Sequence, residues 1–161
     1  MGVLNICNSW GAQMPIVRLA RAGDLEQLLD LFRASEVSSP VQSHGEAEKI
    51  WSETLTRKGV FIFVAEVGST LAATCMLIVA PNLLRSGRGY GFLENVVTHP
   101  QFRGHGHGTA VVRAALAEAW AQNCYHVLLQ SGRKDAQVHH FYERCGFEPG
   151  KRTAYVASRP L

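Results

Sequence analysis

Glu94-Asn95-Val96-Val97-Thr98-His99-Pro100-Gln101-Phe102-Arg103-Gly104-His105-Gly106-His107-Gly108-Thr109 is the stretch that decides the fold. Apolar residues run up to Pro100, which has no N–H for a ladder, so a strand is expected to stop there. A glycine-rich turn follows, and helical spacing opens at about Gly108. A strand feeding such a turn into a helix is a common way to hold an anion. The first N–H groups of the helix lack partners within it and carry the positive end of its dipole. Glycines at alternate positions let the backbone approach the anion with no Cβ in the way. Two phosphate motifs do not fit. A P-loop needs a Lys and then Ser or Thr after its last Gly, and no Lys is present. In the dinucleotide pattern the third Gly falls on Thr109 or on Val111, and no acid ends the next apolar run, residues 125–131.

Outward from this stretch, composition sets bounds. The 161 residues fit one domain with a core of its own. With 47% hydrophobic and 18% charged residues the chain reads as globular. A net charge of +3 without a dense basic block gives no reason to expect nucleic acid. Cys7, Cys75, Cys124 and Cys145 are scattered, with no C-x-x-C, which reads as free thiols in a reducing, cytoplasmic setting. The longest apolar run, residues 71–80, is too short to span a bilayer, so no membrane partner is expected. Residues 1–14 show no clear period and no secretory pattern, and are expected to be a loose leader.

Along the chain, residues 16–20 alternate as a strand. Gly23-Asp24 offers a cap, and Leu25, Leu28, Leu29 and Phe32 fall at helical spacing. Residues 35–43, with Pro40, read as a loop. Ser43 and Glu46 form a capping box before a second helix, with Ala47, Ile50, Trp51 and Leu55 as its buried stripe. Residues 60–67 and 71–79 read as a hairpin turned by Gly68-Ser69. Strands are expected at 92–98 and 125–130, the second buried on both faces. Helices are expected at 109–121, ending on Asn123, and at 135–145, ending on Gly146. Residues 152–158 read as a last strand. The order β, α, α, β, β, β, α, β, α, β implies a mixed sheet, antiparallel at first, with a right-handed crossover late. Exposed sheet edges late in the chain would allow a homodimer.

Two motifs bear a resemblance. Arg103, Gly106 and Gly108 meet Arg/Gln-x-x-Gly-x-Gly/Ala, and Phe141-Tyr142-Glu143-Arg144-Cys145-Gly146-Phe147 meets a Phe/Leu-Tyr-x-x-x-Gly-Phe helix end. In these the chain resembles the GNAT superfamily of acyl-CoA-dependent N-acyltransferases, most of all its small-amine and glucosamine-phosphate members. The likeness runs from about Pro15 to the C-terminus and is specific only over residues 92–155. It implies an α/β domain of the α+β type over residues 15–161. A mixed central sheet of six to seven strands would be flanked by about four helices.

The resemblance also assigns roles. Acetyl-CoA is the co-substrate, and an amine, protein or small-molecule, is the acceptor. The diphosphate lies on the N–H groups of Gly104, His105, Gly106, His107, Gly108 and Thr109, with Arg103 opening the turn. The side chains of His105 and His107 are expected to point outward to solvent. With no third ligand in range they do not read as a metal site. Val96, Val97 and Thr98 receive the pantetheine arm in a gap between their strand and residues 125–130. Tyr142 protonates the leaving thiolate, and Glu94, directly or through water, takes the amine proton. Asp135 stands where many members carry an Asn that touches CoA. An Asp does not donate in the same way, and capping the helix is its other reading. A protein N-terminus or lysine as acceptor, and a CoA-binding module without catalysis, stay open at this point.

Overall fold

The computed structural model describes residues 15–35, 40 and 43–159. The expected leader, residues 1–14, and most of the loop around Pro40 lie outside the described residues.

β1 (Ile16–Leu19) ends in a short 3-10 turn that leads into α1 (Leu25–Ser35). Asp24 closes that turn. Its carboxylate accepts from the Arg21 N–H at 2.7 Å and from the Arg18 guanidinium at 2.7 and 2.9 Å. Arg18 also donates to Glu66 at 2.8 Å, tying the turn to the sheet. The Arg18 bond holds the Asp24 carboxyl below its ordinary range, against the opposing pull of burial.

α2 (His44–Thr56) is capped by Ser43, whose side chain accepts from the Glu46 N–H at 3.4 Å. Ala47 is buried and the Trp51 indole donates to the Ala22 carbonyl at 3.0 Å. Ile50, expected inside, is 45% exposed. The helix leans on Ala47 and Trp51, and Ile50, one position round, stays outside that narrow contact.

β2 (Val60–Val67) and β3 (Thr70–Ala80) form the expected hairpin, with Gly68 in the left-handed region at φ 61°. β4 (Tyr90–Thr98) starts two residues before its expected position. α3 (His107–Ala121) also starts two residues early, and Asn123 follows it at φ 57°. β5 (Val127–Leu129) is shorter than expected, and only Val127 is buried. α4 (Ala136–Arg144) completes the chain order.

The sheet runs β1-β2-β3-β4-β5, antiparallel as far as β4, with β5 parallel to β4 after the α3 crossover. α3 covers one face, where Cys75, Leu77, Leu93, Val111, Val112 and Ala115 make a dry core. α1 covers part of the other, with Leu28, Leu31, Val64, Leu71 and Val97 packed together. The described sheet thus has five strands, where six to seven were expected. The missing strand is 152–158. Every residue there is exposed, Tyr155 at 89% and Val156 at 81%, and none joins a ladder. Alternation alone does not make a strand, because its N–H and C=O groups need a neighbour to pair with. The short β5 also departs from expectation: it pairs with β4 at three positions, and Leu128 and Leu129 are only partly buried. Among the described residues no helix is long and apolar enough to cross a membrane.

Candidate active site

The site begins at an irregularity in β4. From Glu94 to Val97 this strand takes three steps where β3 takes two, from Met76 to Thr74. The extra residue makes a bulge, and Asn95 sits in it at φ 51°. The bulge also exchanges faces. Leu93 packs on the α3 side; beyond the bulge Val96 takes that side and Val97 joins the α1 side. Pairing with β5 stops at the same place, at Leu93 opposite Leu129. Past that point the two parallel strands part, and among the described residues that edge of β4 has no neighbouring strand.

A cleft of about 860 Å³ fills the opening. Glu94, Asn95, Val96, Val97 and Thr98 form one wall and residues 130–133 the other, with Asp135 and Tyr142 from α4 at its border. Arg103, Gly104, Gly106, His107, Gly108 and Thr109 form its floor. The cleft thus gathers every residue singled out from the sequence except His105. That side chain is exposed and turns back, its Nδ1 2.8 Å from the Arg103 carbonyl.

The floor is built from turn chemistry. Arg103 donates to the Thr98 carbonyl at 3.4 Å and so joins the turn to the end of β4. Gly104 and Gly106 have φ of 78° and 84°, a region open to glycine and strained for other residues. Gly108 is needed for a different reason. A Cβ there would lie 2.8 Å from Thr98 Oγ1 and 3.4 Å from the Phe141 ring. Among the described residues, the N–H groups of Gly104, His105, Gly106, His107, Gly108 and Thr109 donate to no protein acceptor. The next one, of Ala110, makes the first helical bond, to Gly106 at 2.9 Å. This row of free donors at a helix N-terminus is suited to an anion.

His107 departs from expectation. Its side chain does not face solvent; it is 4% exposed, with the Phe102 ring at 5.9 Å and the His105 ring stacked at 6.1 Å. As the first residue of α3 it turns under the loop, and among the described residues its Nδ1 has no hydrogen-bond partner. Burial, and then His105, push its pKa below the ordinary histidine value. Together with His105 it gathers no third ligand; among the described residues no group of three His, Cys, Asp or Glu is placed to hold a metal ion.

Tyr142 is positioned by the end of its helix. The Phe147 N–H bonds to the Tyr142 carbonyl at 3.1 Å and the Gly146 N–H to the Glu143 carbonyl at 2.9 Å, with Gly146 at φ 96°. This is a Schellman ending, and the apolar contact that accompanies it is Phe147 edge-on to Tyr142 at 6.0 Å. The Tyr-x-x-x-Gly-Phe spacing is therefore the spacing of a helix stop that fixes the tyrosine. Burial raises the pKa of the phenol, Arg133 opposes this, and Cys145 and Glu94 add to it. A raised pKa keeps the proton on the oxygen, as a donor requires. Glu94 itself is exposed at the bulge. Asp135 caps α4, accepting from the Gln137 N–H at 2.9 Å.

Asn95 and Arg133 escaped the sequence reading. The basic, glycine-containing run Ser131-Gly132-Arg133-Lys134 between strand and helix was a usable signal for the second. Nothing local marks the bulge.

A parted parallel pair, free amides on a helix N-terminus and a half-buried phenol fit an acyl-CoA-dependent transferase as the class of protein. Residues 25–147 match the acetyltransferase (GNAT) family, and the chain belongs to it, as an acetyl-CoA-dependent N-acetyltransferase. A solved structure named as an acetyltransferase from Agrobacterium tumefaciens is 41% identical, with a TM-score of 0.82, over 89% of this chain and 99% of that one. The glucosamine 6-phosphate N-acetyltransferase of Trypanosoma brucei brucei is 28% identical over 84% of this chain and 90% of its own. The aminoglycoside N(6')-acetyltransferase type 1 of Stenotrophomonas maltophilia is 36% identical over 40% of this chain and 42% of its own.

Proposed function

We propose that the chain moves the acetyl group of acetyl-CoA directly to the primary amine of a small molecule within this cleft. One observation carries the reading. The free N–H groups of the glycine turn and the Tyr142 phenol border a single opening, which starts where β4 leaves β5. The turn takes the diphosphate, and the unpaired edge at Val96, Val97 and Thr98 takes the pantetheine arm. Free backbone donors on that edge polarise the thioester oxygen as negative charge builds on it.

The amine nitrogen then bonds to the carbonyl carbon. Its surplus proton passes to Glu94, directly or through a water. The C–S bond breaks and the sulfur takes the proton of Tyr142. No acyl-enzyme is needed. Cys75 is buried and bonded to the Val111 carbonyl at 3.3 Å, and burial pushes its thiol up to about 12, which suits a structural residue. Relatives named for glucosamine 6-phosphate and for aminoglycosides support a small amine as acceptor.

The test is a thiol-release assay with acetyl-CoA across a panel of amines, repeated on Tyr142→Phe and Glu94→Gln. Turnover by the native chain and its loss in both variants is the expected result. Full activity in both variants would sink the roles given to these residues.

A further inference from the structure

Beyond Glu94 the same face of the sheet carries rings that the transfer step does not use. Gly91 and Leu93 are buried toward α3, so Tyr90, Phe92 and Glu94, which alternate with them, share the opposite face. The Tyr90 ring lies 5.3 Å from Phe92, 6.2 Å from Tyr125 and 6.4 Å from His126, and all four are partly open to solvent. Arg85 holds its guanidinium 5.6 Å from the centre of the Tyr125 ring. Its backbone and that of Ser86 are both left-handed, at φ 55° and 58°. Such a conformation persists where its surroundings hold it. Here Asn82 braces the turn, accepting from the Leu84 N–H at 3.1 Å and donating to the Arg88 carbonyl at 3.4 Å.

Arg85 makes this end of the face positive. It is not paired with a carboxylate among the described residues. The other end is the Glu94 carboxylate, four residues along the strand, or about 13 Å at ~3.3 Å per residue. The face therefore runs from an acid, over flat rings, to a guanidinium group with no carboxylate partner among the described residues.

We infer that Phe92 and Tyr90 seat the ring body of the acceptor amine, while Arg85 takes an anionic group at its far end. The inference rests on the proposed role of Glu94 at the amine. A phosphate or carboxylate gains charge-assisted bonds to the planar guanidinium. A polycation brings like charges to the same place and is disfavoured. The acceptor class is thus a small, ring-bearing amine with a negative charge remote from the nitrogen.

The experiment compares glucosamine 6-phosphate, glucosamine and the aminoglycoside neamine at saturating acetyl-CoA. In the native chain the phosphorylated amine is expected to lead by at least about tenfold in kcat/KM. Arg85→Glu should lower that value about tenfold or more through KM, and change glucosamine by less than about threefold. The KM for acetyl-CoA and the melting temperature should stay as they were. Neamine or glucosamine leading, or all three falling alike in Arg85→Glu, would overturn the inference. Calorimetric binding of the phosphorylated amine to the CoA-saturated protein gives a readout free of catalysis. Binding weakened by Arg85→Glu supports the subsite even if turnover fails, and no binding overturns it. Thiol release without preference for the anion sinks the subsite alone. Unimpaired Tyr142→Phe and Glu94→Gln sink the reading beneath it.

Discussion

The β2–β3 hairpin and the β4–β5 pair lie in the same sheet and are built in opposite ways. The hairpin pairs at eight positions, the parallel pair at three. The hairpin slips register once, between Ala65 and Glu66, and β4 slips once at Asn95, but β3 is buried along most of its length whereas β4 has Glu94 exposed at its middle. In the hairpin the backbone groups satisfy one another. Past Leu93 they are left for something else, and the turn beyond Thr98 presents a row of free N–H groups. The contrast teaches that the candidate site is the part of the sheet where the chain stops pairing with itself. Substitutions in the closed part should register as stability, and those in the open part as turnover.

The largest expected effect is in the open part. Tyr142→Phe and Glu94→Gln each remove one proton-transfer group, and kcat should fall about 10²- to 10⁴-fold. Thermal melting should move little, because neither side chain makes a hydrogen bond that the fold depends on. If instead melting collapses while kcat per folded molecule holds, the contrast between the two parts breaks.

Leu77→Ala is the mirror experiment. Leu77 is fully buried in β3 under α3, so the cost should be about 2–5 kcal/mol of stability, read from denaturant midpoints. The KM for acetyl-CoA and kcat per folded molecule should be unchanged. A large change in KM would mean that the closed part shapes the cleft after all.

Gly106→Ala tests the turn at smaller scale. Gly106 has φ 84° with open space where a Cβ would go, so the cost is conformational strain and not a clash. A left-handed alanine costs roughly 1–2 kcal/mol. If the loop keeps its shape, that cost appears in stability. If it relaxes, the free N–H row is disturbed and the KM for acetyl-CoA should rise by up to about tenfold. An alanine variant native in both respects would show that the left-handed turn is not required.

These differences also mark what could be read from the sequence. The glycine turn and the end of α4 were legible because both are local. Gly104 and Gly106 are demanded by their own dihedrals, and the Tyr142, Gly146 and Phe147 spacing by a helix stop six residues long. The bulge at Asn95 was not legible, since an extra residue has meaning only against Cys75 on another strand. The same holds for residues 152–158, whose alternation suits a strand but which find no neighbour among the described residues, and for Ile50, which stays exposed beside the buried Ala47. His107 misled for a related reason: a histidine between glycines reads as exposed until Phe102 and the first turn of α3 close around it.

His107 gives the smallest and most specific test, because it is a closed feature inside the open part. Its ring is buried and Nδ1 has no acceptor, so the cation would bury an N–H with nothing to bond. In the unfolded chain a histidine titrates near 6.5. Burial, then His105, places the folded value lower. Between the two values the unfolded chain holds more protons, so stability rises with pH there. The penalty is absent above the unfolded value and complete below the folded one. Urea midpoints from pH 5 to 8 should therefore climb more steeply for the native chain than for His107→Leu, which has no proton to exclude. His105→Ala should keep most of the native slope, since burial is the larger cause. The difference between the curves, and not either curve alone, isolates this residue, because His126 is also depressed and adds a slope of its own. Parallel curves for the native chain and His107→Leu would mean that the imidazole reaches water or a partner in solution, and that the turn is open throughout.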